Sequence, residues 1–339
     1  MRILVTVNCK WWNAAAQGAA LAARALAEEG HTVLVQSCSG EVPNKLREMG
    51  LPCRKLRAPF SGLRKLAASL QAQAVIAFRS PGQTAAAFTI PCIPLIRYRS
   101  DQRKARGGRL WSLVDNRTDL MVFPGASMVG KKHQGPRNGP VTVIPQPVDT
   151  NFFKPSDTEK KKIILSLARL SPVKGHKTLI RAMTMVQGDY RAVIAGADAQ
   201  HTASGLMEYA CSLGVGDRIE FAGRVSDVRP FLQQSSIGVV TSLGSEAVSR
   251  AGMEMMASGV PLLAAATNGL LDLVQDGVSG LLHSPGNWRQ LAAQINHLAE
   301  NRGLAGYLSS NGLKHCLKEL SLEAAGRRWT EELEQVCFS

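Results

Sequence analysis

The chain of 339 residues lacks any apolar run long enough to cross a membrane. The longest runs, GVVTSL and GVPLLAAAT, fall far short of the roughly 18 to 20 residues that a membrane-spanning helix needs. The amino-terminal stretch MRILVTVNCKWW also lacks the apolar core and the small-residue cleavage site of a secretory signal peptide. We therefore expect a cytoplasmic protein.

Patterns typical of metal sites are also missing. The seven cysteines include no Cys-x-x-Cys pair and show no regular spacing, which argues against a zinc site and against a disulfide framework. We expect most of them to be buried thiols. No Asp-x-Asp pair occurs, so a metal clamp for a phosphorylated ligand is not expected. The histidines lack metal-ligand spacing, and we interpret each as a surface or capping residue. We expect neither a metal nor a cofactor.

Acidic residues are scarce in the first half of the chain. Through Pro155 there are 22 Lys and Arg against 8 Asp and Glu, whereas the remainder has 18 against 18. The entire formal net charge of +14 therefore lies in the first half. This asymmetry predicts an anionic partner for that half alone, which could be nucleic acid, an acidic membrane face or a phosphorylated substrate.

Short apolar runs alternate with segments of helical composition along both halves. The strand candidates are RILVTV, TVLVQS, 74–78, 93–98, 120–124 and 141–145 in the first half, and 162–168, 191–197, 218–223, 237–242 and 260–265 in the second. Such alternation predicts β-α-β units and hence parallel sheets. Residues 146–162 combine two prolines with a charged run and are interpreted as a linker. We predict an α/β protein with two doubly wound sheets that bind ligands beyond the carboxyl ends of their strands.

The stretch SEAVSRAGMEMMASGVP (245–261) predicts a loop followed by a helix. The helix should begin near residues 248–250 and end at Ser258, with Gly259 as its C-cap. Glu246 would then lie in the loop and Glu254 in the second helical turn. The backbone N–H groups of about residues 247–251 would form an anion site. An anion site beside two carboxylates suits a sugar nucleotide; the alternative is two solvated surface glutamates.

A second loop carries two cations. In RLSPVKGHKTL, Arg169 and Lys174 follow a predicted strand and precede a predicted helix. Two cations there could neutralise a diphosphate and the charge that develops on it as a leaving group. The alternative is that both are solvated surface charges.

These motifs occur in a recognisable order. The series VIPQPVDTNFFKP, SLARLSPVKGHKTLIRAM, AVIAGA, RIEFAGRVSDVRPF and SEAVSRAGMEMMASGVPLLAAATNGLLDLV resembles the retaining glycosyltransferases of the GT-B fold, family 4-type. The resemblance covers the second half almost continuously. It implies two Rossmann-like domains that face each other across a cleft: 1–150 for the acceptor and 151–325 for the donor, with a carboxyl-terminal helix, 326–339, that packs back on the first domain.

The resemblance also implies residue roles. Arg169 and Lys174 would bind the donor diphosphate, while Glu246 and Glu254 would hold the donor sugar and the ribose. The remaining expected donor contacts are Gly196, Arg224, Val225, Ser226, Ala247, Val248, Ser249 and Arg250.

The first half departs from the family pattern in two places. NAAAQG replaces a common Gly-Gly pair, so the expected acceptor loop consists of Asn13, Ala14, Ala15, Ala16 and Gln17. Each Cβ there should keep the backbone farther from a ligand than glycine would. Where many relatives have a histidine, this chain has Ser100 and Asp101. We assign Ser100 to the acceptor site and Asp101 to the reaction centre; alternatively, Asp101 pairs with Arg97, Arg99 or Arg103.

The positive charge concentrates in residues 53–66 and 97–111, and Trp11 and Trp12 lie on another loop. Cations interleaved with apolar residues suit an anionic membrane surface or phosphates on the acceptor. No nucleic-acid-binding motif accompanies them, so we expect no nucleic-acid partner. The alternative is a solvated basic face that only aids solubility.

The sequence therefore predicts a metal-independent, retaining hexosyl- or related glycosyltransferase. It would use a nucleotide sugar and a phosphorylated glycolipid or lipopolysaccharide-core acceptor, peripherally at the cytoplasmic membrane face. Two rivals stay open: a nucleotide-sugar epimerase of the same fold, and a non-catalytic protein that binds sugar nucleotides or nucleic acid.

Overall fold

A computed structural model of the chain describes residues 1–38, 40–56, 59–100, 108–129, 139–244 and 247–338, apart from the side chains of Pro59 and Ser61. The chain divides into two compact units, Met1–Asp149 together with Glu319–Ser339, and Thr150–Lys318. The first division lies one residue from the position that the sequence suggests. The chain returns to the first unit at Glu319, earlier than the helix expected from 326.

The first unit contains a seven-stranded parallel sheet. In chain order its strands are β1 (Arg2–Val7), β2 (Thr32–Ser37), β3 (Cys53–Lys55), β4 (Ala74–Ala77), β5 (Leu95–Tyr98), β6 (Leu120–Phe123) and β7 (Val141–Val143). Their order across the sheet is β3-β2-β1-β4-β5-β6-β7. The order reverses direction between β1 and β4, as in a doubly wound fold.

Helices cover both faces of this sheet. They are α1 (Ala14–Glu28), α2 (Val42–Glu48), α3 (Pro59–Leu70), α4 (Ser80–Thr89) and α5 (Arg109–Asn116), with a 3₁₀ turn at Ala126–Met128. The small side chains of α1 and the apolar face of α2 pack against one face of the sheet. Helices α3, α4 and α5 cover the other face.

The second unit contains a six-stranded parallel sheet in the order β10-β9-β8-β11-β12-β13. The strands are β8 (Lys161–Leu167), β9 (Arg191–Ala195), β10 (Ile219–Gly223), β11 (Ser235–Val240), β12 (Leu262–Ala265) and β13 (Leu281–His283). The helices are α6 (His176–Met183), α7 (Ala203–Ser212), α8 (Arg229–Gln234), α9 (Arg250–Ala257), α10 (Gly269–Leu273), α11 (Trp288–Glu300) and α12 (Arg302–His315). Single 3₁₀ turns lie at Pro172–Lys174 and Gly216–Arg218, and a π-helical turn at Cys316–Leu320 includes the point where the chain returns to the first unit.

The last helix, α13 (Leu322–Phe338), packs on α1 of the first unit. Gly326 allows the close approach, because a Cβ at that position would lie 2.8 Å from the carbonyl oxygen of Ala25. Trp329 inserts into the same core and lies 5.9 Å from the Tyr98 ring. The carboxyl-terminal segment is therefore part of the first unit's core.

Every strand that the sequence predicts is present, and the prediction of two parallel α/β sheets is confirmed. The prediction for the cysteines is wrong, because only Cys9 and Cys316 are buried. None of the seven, all of which lie in the described ranges, forms a disulfide.

Within the described ranges, none of the helices combines the length and the apolar character that crossing a membrane requires.

Candidate functional site

The candidate site of the second unit lies where two adjacent central strands end. Strands β8 and β11 pair in parallel, with Ile164 opposite Ile237 and Leu165 opposite Gly238. From β8 the chain continues to β9 on one side, whereas β12 follows β11 on the other side. The chain therefore leaves β8 and β11 in opposite directions across the sheet, and the carboxyl ends of these two strands form the switch point at which doubly wound proteins bind ligands.

The loop after β8 carries Arg169 and Lys174. The Arg169 side chain is exposed and that of Lys174 is half-buried. Main-chain hydrogen bonds from Ala168 to Ala195 (3.0 Å) and from Leu170 to Ala197 (2.9 Å) fix the first part of the loop against the end of β9. The second part is the 3₁₀ turn Pro172–Lys174.

Gly175 ends this loop in the left-handed region, with φ +68°. A Cβ there would lie 2.0 Å from the carbonyl oxygen of Thr241, which directly follows β11. Two hydrogen bonds reinforce the contact: Thr241 Oγ1 donates to the carbonyl of Lys174 at 2.9 Å, and the Leu243 N–H donates to Val173 at 2.8 Å. The structure thus brings the loop of the two cations together with the loop that leaves β11.

Helix α9 begins at Arg250, within the predicted range, and ends at Ala257, one residue before the predicted end; Ser258, and not Gly259, is its C-cap. Ser249, which is 2% exposed, is the N-cap, and its hydroxyl accepts from the Gly252 N–H at 3.4 Å. Gly259 has φ +67°, the left-handed conformation expected just after a helix. Since an α-helix leaves its first N–H groups without intrahelical acceptors, the start of α9 offers amide donors beside half-buried Ala247 and Val248. Glu246 lies outside the described residues.

Glu254 is a largely buried carboxylate in the second turn of α9, so the alternative of a solvated glutamate is wrong for this position. Its Oε1 accepts from Arg250 Nη2 at 3.0 Å, one helical turn earlier. Burial raises the pKa of Glu254, and the Arg250 guanidinium opposes that rise. The hydrogen bond from Arg250 therefore holds the Glu254 carboxylate through Oε1. The second carboxylate oxygen, Oε2, takes no part in this bond.

The other expected donor contacts follow β9 and β10. Gly196 lies against the loop of the two cations, because a Cβ at that position would be 1.9 Å from the carbonyl oxygen of Ala168. Its N–H donates to Gly223 at the end of β10 at 2.8 Å. Arg224 and Ser226 are exposed after that strand, and Val225 is half-buried between them. Since β10, β9, β8 and β11 are neighbours, all these segments leave the same edge of the sheet.

Two histidines of this unit contradict the expectation of surface or capping residues. His176 and His283 are each 1% exposed. His176 Nε2 lies 3.1 Å from the carbonyl oxygen of Arg169, and burial lowers the pKa of this histidine. Burial also lowers the pKa of His283. The sequence carries no signal for this burial, since it arises from the tight turn at Gly175 and from the sheet edge at β13.

The structure corrects the expected acceptor loop of the first unit. Helix α1 begins at Ala14, so Ala14, Ala15, Ala16 and Gln17 form its first turn. Asn13 is the N-cap, and its Oδ1 accepts from the N–H groups of Ala15 and Ala16 at 3.0 and 3.1 Å. Alanine favours a helix strongly and asparagine is among the best N-caps, which explains the early start.

Ser100 follows β5 and is half-buried, whereas Asp101 lies outside the described residues. Arg97, one of the arginines considered as an ion-pair partner of Asp101, pairs with Asp115, with Nη1 at 2.5 Å from Oδ1. Burial lowers the pKa of Arg97, and Asp115 opposes that change.

A polar cluster at the ends of β1 and β2 was not foreseen. Thr6 donates to Gln36 Oε1 at 2.5 Å, Gln36 donates to Asn8 Oδ1 at 3.2 Å, and Asn8 donates to Thr6 at 3.3 Å. Thr6 and Gln36 are fully buried. The sequence signal that could have indicated this cluster is a polar residue near the end of each apolar strand. The hydrogen bonds of the cluster hold Asn8 at the carboxyl edge of the first sheet.

Solved structures share this architecture. The crystal structure of Anabaena HepE in complex with UDP superimposes with a TM-score of 0.86 at 20% identity, covering 99% of this chain and 100% of that one. The two parallel-sheet units therefore have the GT-B fold.

The sequence comparisons lead to the family. Residues 147–315 match glycosyl transferases group 1, and the chain belongs to this family. The lipopolysaccharide core biosynthesis glycosyltransferase LpsE of Rhizobium meliloti is 28% identical over 162 residues, which are 48% of this chain and 46% of LpsE. The D-inositol 3-phosphate glycosyltransferase of Mycobacterium marinum is 30% identical over 186 residues, which are 50% of this chain and 40% of that protein. The matched region thus spans less than half the length of either relative.

Proposed function

We propose that the protein is a retaining glycosyltransferase that moves a sugar from a nucleotide-sugar donor to a phosphorylated glycolipid or lipopolysaccharide-core acceptor. The observation that carries this proposal is the junction of the Arg169–Lys174 loop with the loop that leaves β11. Two cations lie on a loop that contacts the segment leading from β11 to the helix α9, at the switch point of the second sheet, and we propose that this arrangement binds a diphosphate.

In this proposal the charge of the leaving group decides the chemistry. Negative charge builds up on the diphosphate as the bond to the sugar breaks. Arg169, Lys174 and the first amides of α9 would stabilise that charge in a fixed geometry, without the need for a metal. Glu254 would accept hydrogen bonds from the ribose hydroxyls, and Glu246 would orient the transferred sugar. Since no protein nucleophile is assigned, we propose transfer on the same face of the sugar, with retention.

The donor base is proposed from the structural relatives. HepE was crystallised with UDP and also with UDP-glucose. We therefore propose uridine as the first base to test. The segment 224–226 after β10, at the same sheet edge, is the proposed place for the base.

The acceptor is proposed from the charge of the first unit and from the curated relatives. One of these is a lipopolysaccharide core enzyme, and another is named for a phosphorylated inositol. The excess positive charge before Pro155 would attract such an acceptor and an anionic membrane surface. Exposed Leu110 and Leu113 on α5 lie beside exposed Arg109, which fits the headgroup region of a membrane.

The test is thermal unfolding of the purified protein with UDP, GDP, ADP and CMP. A ligand at 100 times its dissociation constant stabilises by about 2.7 kcal/mol, enough to raise the midpoint by several degrees. We expect UDP to do so, and Glu254→Ala to weaken the effect. Glu208→Ala, which removes an exposed carboxylate from α7 of the same unit, should leave it unchanged. Failure of every nucleotide at millimolar concentration would overturn the proposed donor site.

A transfer assay separates the rival functions. Glu246→Ala should abolish sugar transfer and leave UDP binding intact. Turnover of the nucleotide sugar without any acceptor, to a product that keeps its nucleotide, would instead identify an epimerase.

A further inference from the structure

Both ends of the cation-bearing loop are held by side chains from outside it. His176 Nε2 donates a hydrogen bond to the carbonyl oxygen of Arg169 at 3.1 Å, and Thr241 Oγ1 donates one to the carbonyl oxygen of Lys174 at 2.9 Å. Two main-chain hydrogen bonds hold the residues between these ends. The Lys174 N–H donates to the carbonyl of Ser171 at 3.0 Å, and the His201 N–H donates to the carbonyl of Leu170 at 3.0 Å. The backbone of each cation therefore carries its own side-chain hydrogen bond.

His176 can make this bond in only one neutral form. A carbonyl oxygen only accepts, so Nε2 must carry the hydrogen. Nδ1 is buried and has no hydrogen-bond partner among the described residues, which fits the role of an unprotonated nitrogen. The ring belongs to the first residue of α6, directly after Gly175, and reaches back to the end of β8. Burial lowers the pKa of His176 and so favours the neutral ring, and the carbonyl oxygen of Arg169 selects the tautomer with the hydrogen on Nε2.

Thr241 holds the other end with two groups. It is 1% exposed and directly follows β11. Its hydroxyl donates to Lys174, and its carbonyl oxygen lies against Cα of Gly175, where any Cβ would collide. A change in the position of the β11 loop would therefore be transmitted to the backbone of Lys174.

We propose that His176 and Thr241 are positioning residues that fix the backbones of Arg169 and Lys174 so that both cations are preorganised for the donor diphosphate. This inference rests on the proposed function. Long cationic side chains lose considerable conformational freedom when they bind a ligand. Fixing both backbone anchors reduces the remaining disorder and aligns the charges before the diphosphate arrives.

The inference predicts that variants of these two residues lose affinity for the diphosphate part of the ligand and not for the nucleoside. Thr241→Val keeps the shape of the side chain and removes the hydroxyl, and His176→Phe keeps a ring and removes the N–H donor. Loss of one such hydrogen bond should weaken UDP binding roughly 3- to 10-fold. Binding of UMP, which lacks the distal phosphate, should weaken less than binding of UDP. The ratio of the UMP and UDP dissociation constants should therefore fall in both variants.

Conservative variants and a matched control separate positioning from general damage. Thr241→Ser and His176→Gln retain a donor and should restore the ratio towards the wild-type value. Thr184→Val removes a similar hydroxyl-to-carbonyl bond, 2.7 Å to Arg181 in the same unit, and should leave the ratio unchanged. Because the ratio is taken within one preparation, a partly unfolded variant still gives a valid answer.

Calorimetric titration with UDP and UMP decides the matter. An unchanged ratio in both Thr241→Val and His176→Phe, with UDP still bound by the wild type, would overturn the positioning role alone. Equal losses for UDP and UMP would also overturn it. A wild-type protein that binds neither UDP nor UMP but binds GDP or ADP would overturn the uridine donor alone, and the ratio would then be measured with GDP and GMP or with ADP and AMP. A wild-type protein that binds none of these nucleotides would overturn the proposed donor site and this inference with it.

Discussion

At the scale of single residues, Gly175 shows most directly how the site depends on local geometry. Its φ of +68° costs a non-glycine residue about 1–2 kcal/mol, and a Cβ would in addition lie 2.0 Å from the Thr241 carbonyl. We expect Gly175→Ala to lower the free energy of unfolding by about 2–5 kcal/mol. Urea unfolding measures this loss.

Gly188 provides the control for that substitution. It has the same φ of +68°, yet a Cβ there would meet no atom within 4 Å. Gly188→Ala should therefore cost only the backbone contribution of about 1–2 kcal/mol. Equal losses for the two variants would show that Thr241 does not constrain Gly175.

The buried ion pair on α9 gives a prediction with a defined pH dependence. In Arg250→Met, Glu254 loses the guanidinium that opposes the rise of its pKa, so its carboxylate becomes an unpaired buried charge. We expect a loss of about 3 kcal/mol at pH 7, at the lower end for a broken buried pair. The loss should shrink as the pH falls towards 5, because Glu254 then takes up a proton. Urea unfolding at both pH values tests the sign.

Two further variants show how much of the stability loss in Arg250→Met comes from the unpaired charge of Glu254. Glu254→Gln added to Arg250→Met removes the unpaired charge and should recover much of the stability at pH 7. Arg327→Met breaks the exposed pair of Arg327 and Glu323, which has the same spacing on α13, and should cost at most about 1 kcal/mol. A loss in Arg250→Met that does not depend on pH would contradict the assignment of the charge to Glu254.

At the scale of elements, the start of α1 shows what a family pattern can obscure. The sequence suggested a loop through Gln17 because relatives have a Gly-Gly pair there, yet three alanines after an asparagine form a good helix start. The N–H groups that such a loop could offer to a ligand are partly occupied by Asn13.

Replacing this cap should have a measurable cost. We expect Asn13→Ala to destabilise the protein by about 1 kcal/mol, and Asn13→Asp to retain most of the stability because aspartate also caps well. Thermal unfolding measures both. Asn301→Ala, which removes a similar cap from α12 in the second unit, is the matched control. If Asn13→Ala leaves the midpoint unchanged while Asn301→Ala lowers it, the cap at α1 contributes nothing to stability.

The sequence predicts the central strands and the edge strands β7 and β10, but not the edge strands β3 and β13. Central strands such as LMVF and RAVIA are buried on both faces and show as continuous apolar runs, so the sequence predicts them. The edge strands β3 and β13 have three residues each, and β3 reads CRK, which carries no strand pattern. Their pairing depends on the neighbouring strand, which local sequence does not encode.

At the scale of the whole molecule, the two halves of the candidate site differ in predictability. Arg169, Lys174 and the start of α9 could be predicted, because they lie in contiguous motifs after predicted strands. The burial of His176 and its bond to Arg169 could not, because they require the turn at Gly175 to fold the ring back onto the end of β8. The charge asymmetry is visible in composition alone, although composition does not show which surface carries it.

One side of the first sheet carries part of this charge next to exposed apolar side chains. Helices α3, α4 and α5 cover this side, and they carry exposed Arg64 and Lys65 on α3 and exposed Arg109 on α5. Phe60 on α3 and Leu113 on α5 are more than half exposed. Basic and apolar groups thus occur together on these helices, as binding to an anionic membrane requires.

Vesicle binding tests whether this surface meets a membrane. We expect the protein to sediment with phosphatidylglycerol vesicles and not with phosphatidylcholine vesicles. Reversing exposed Arg64 and Lys65 to glutamate should weaken binding at least about 30-fold, since each cation contributes about 1 kcal/mol. Reversing exposed Lys154 and Lys161 of the second unit should have little effect. Binding should vanish at 1 M salt, where the Debye length falls to about 3 Å. Equal losses for the two double variants would mean that net charge alone, and not this helical face, governs the attraction.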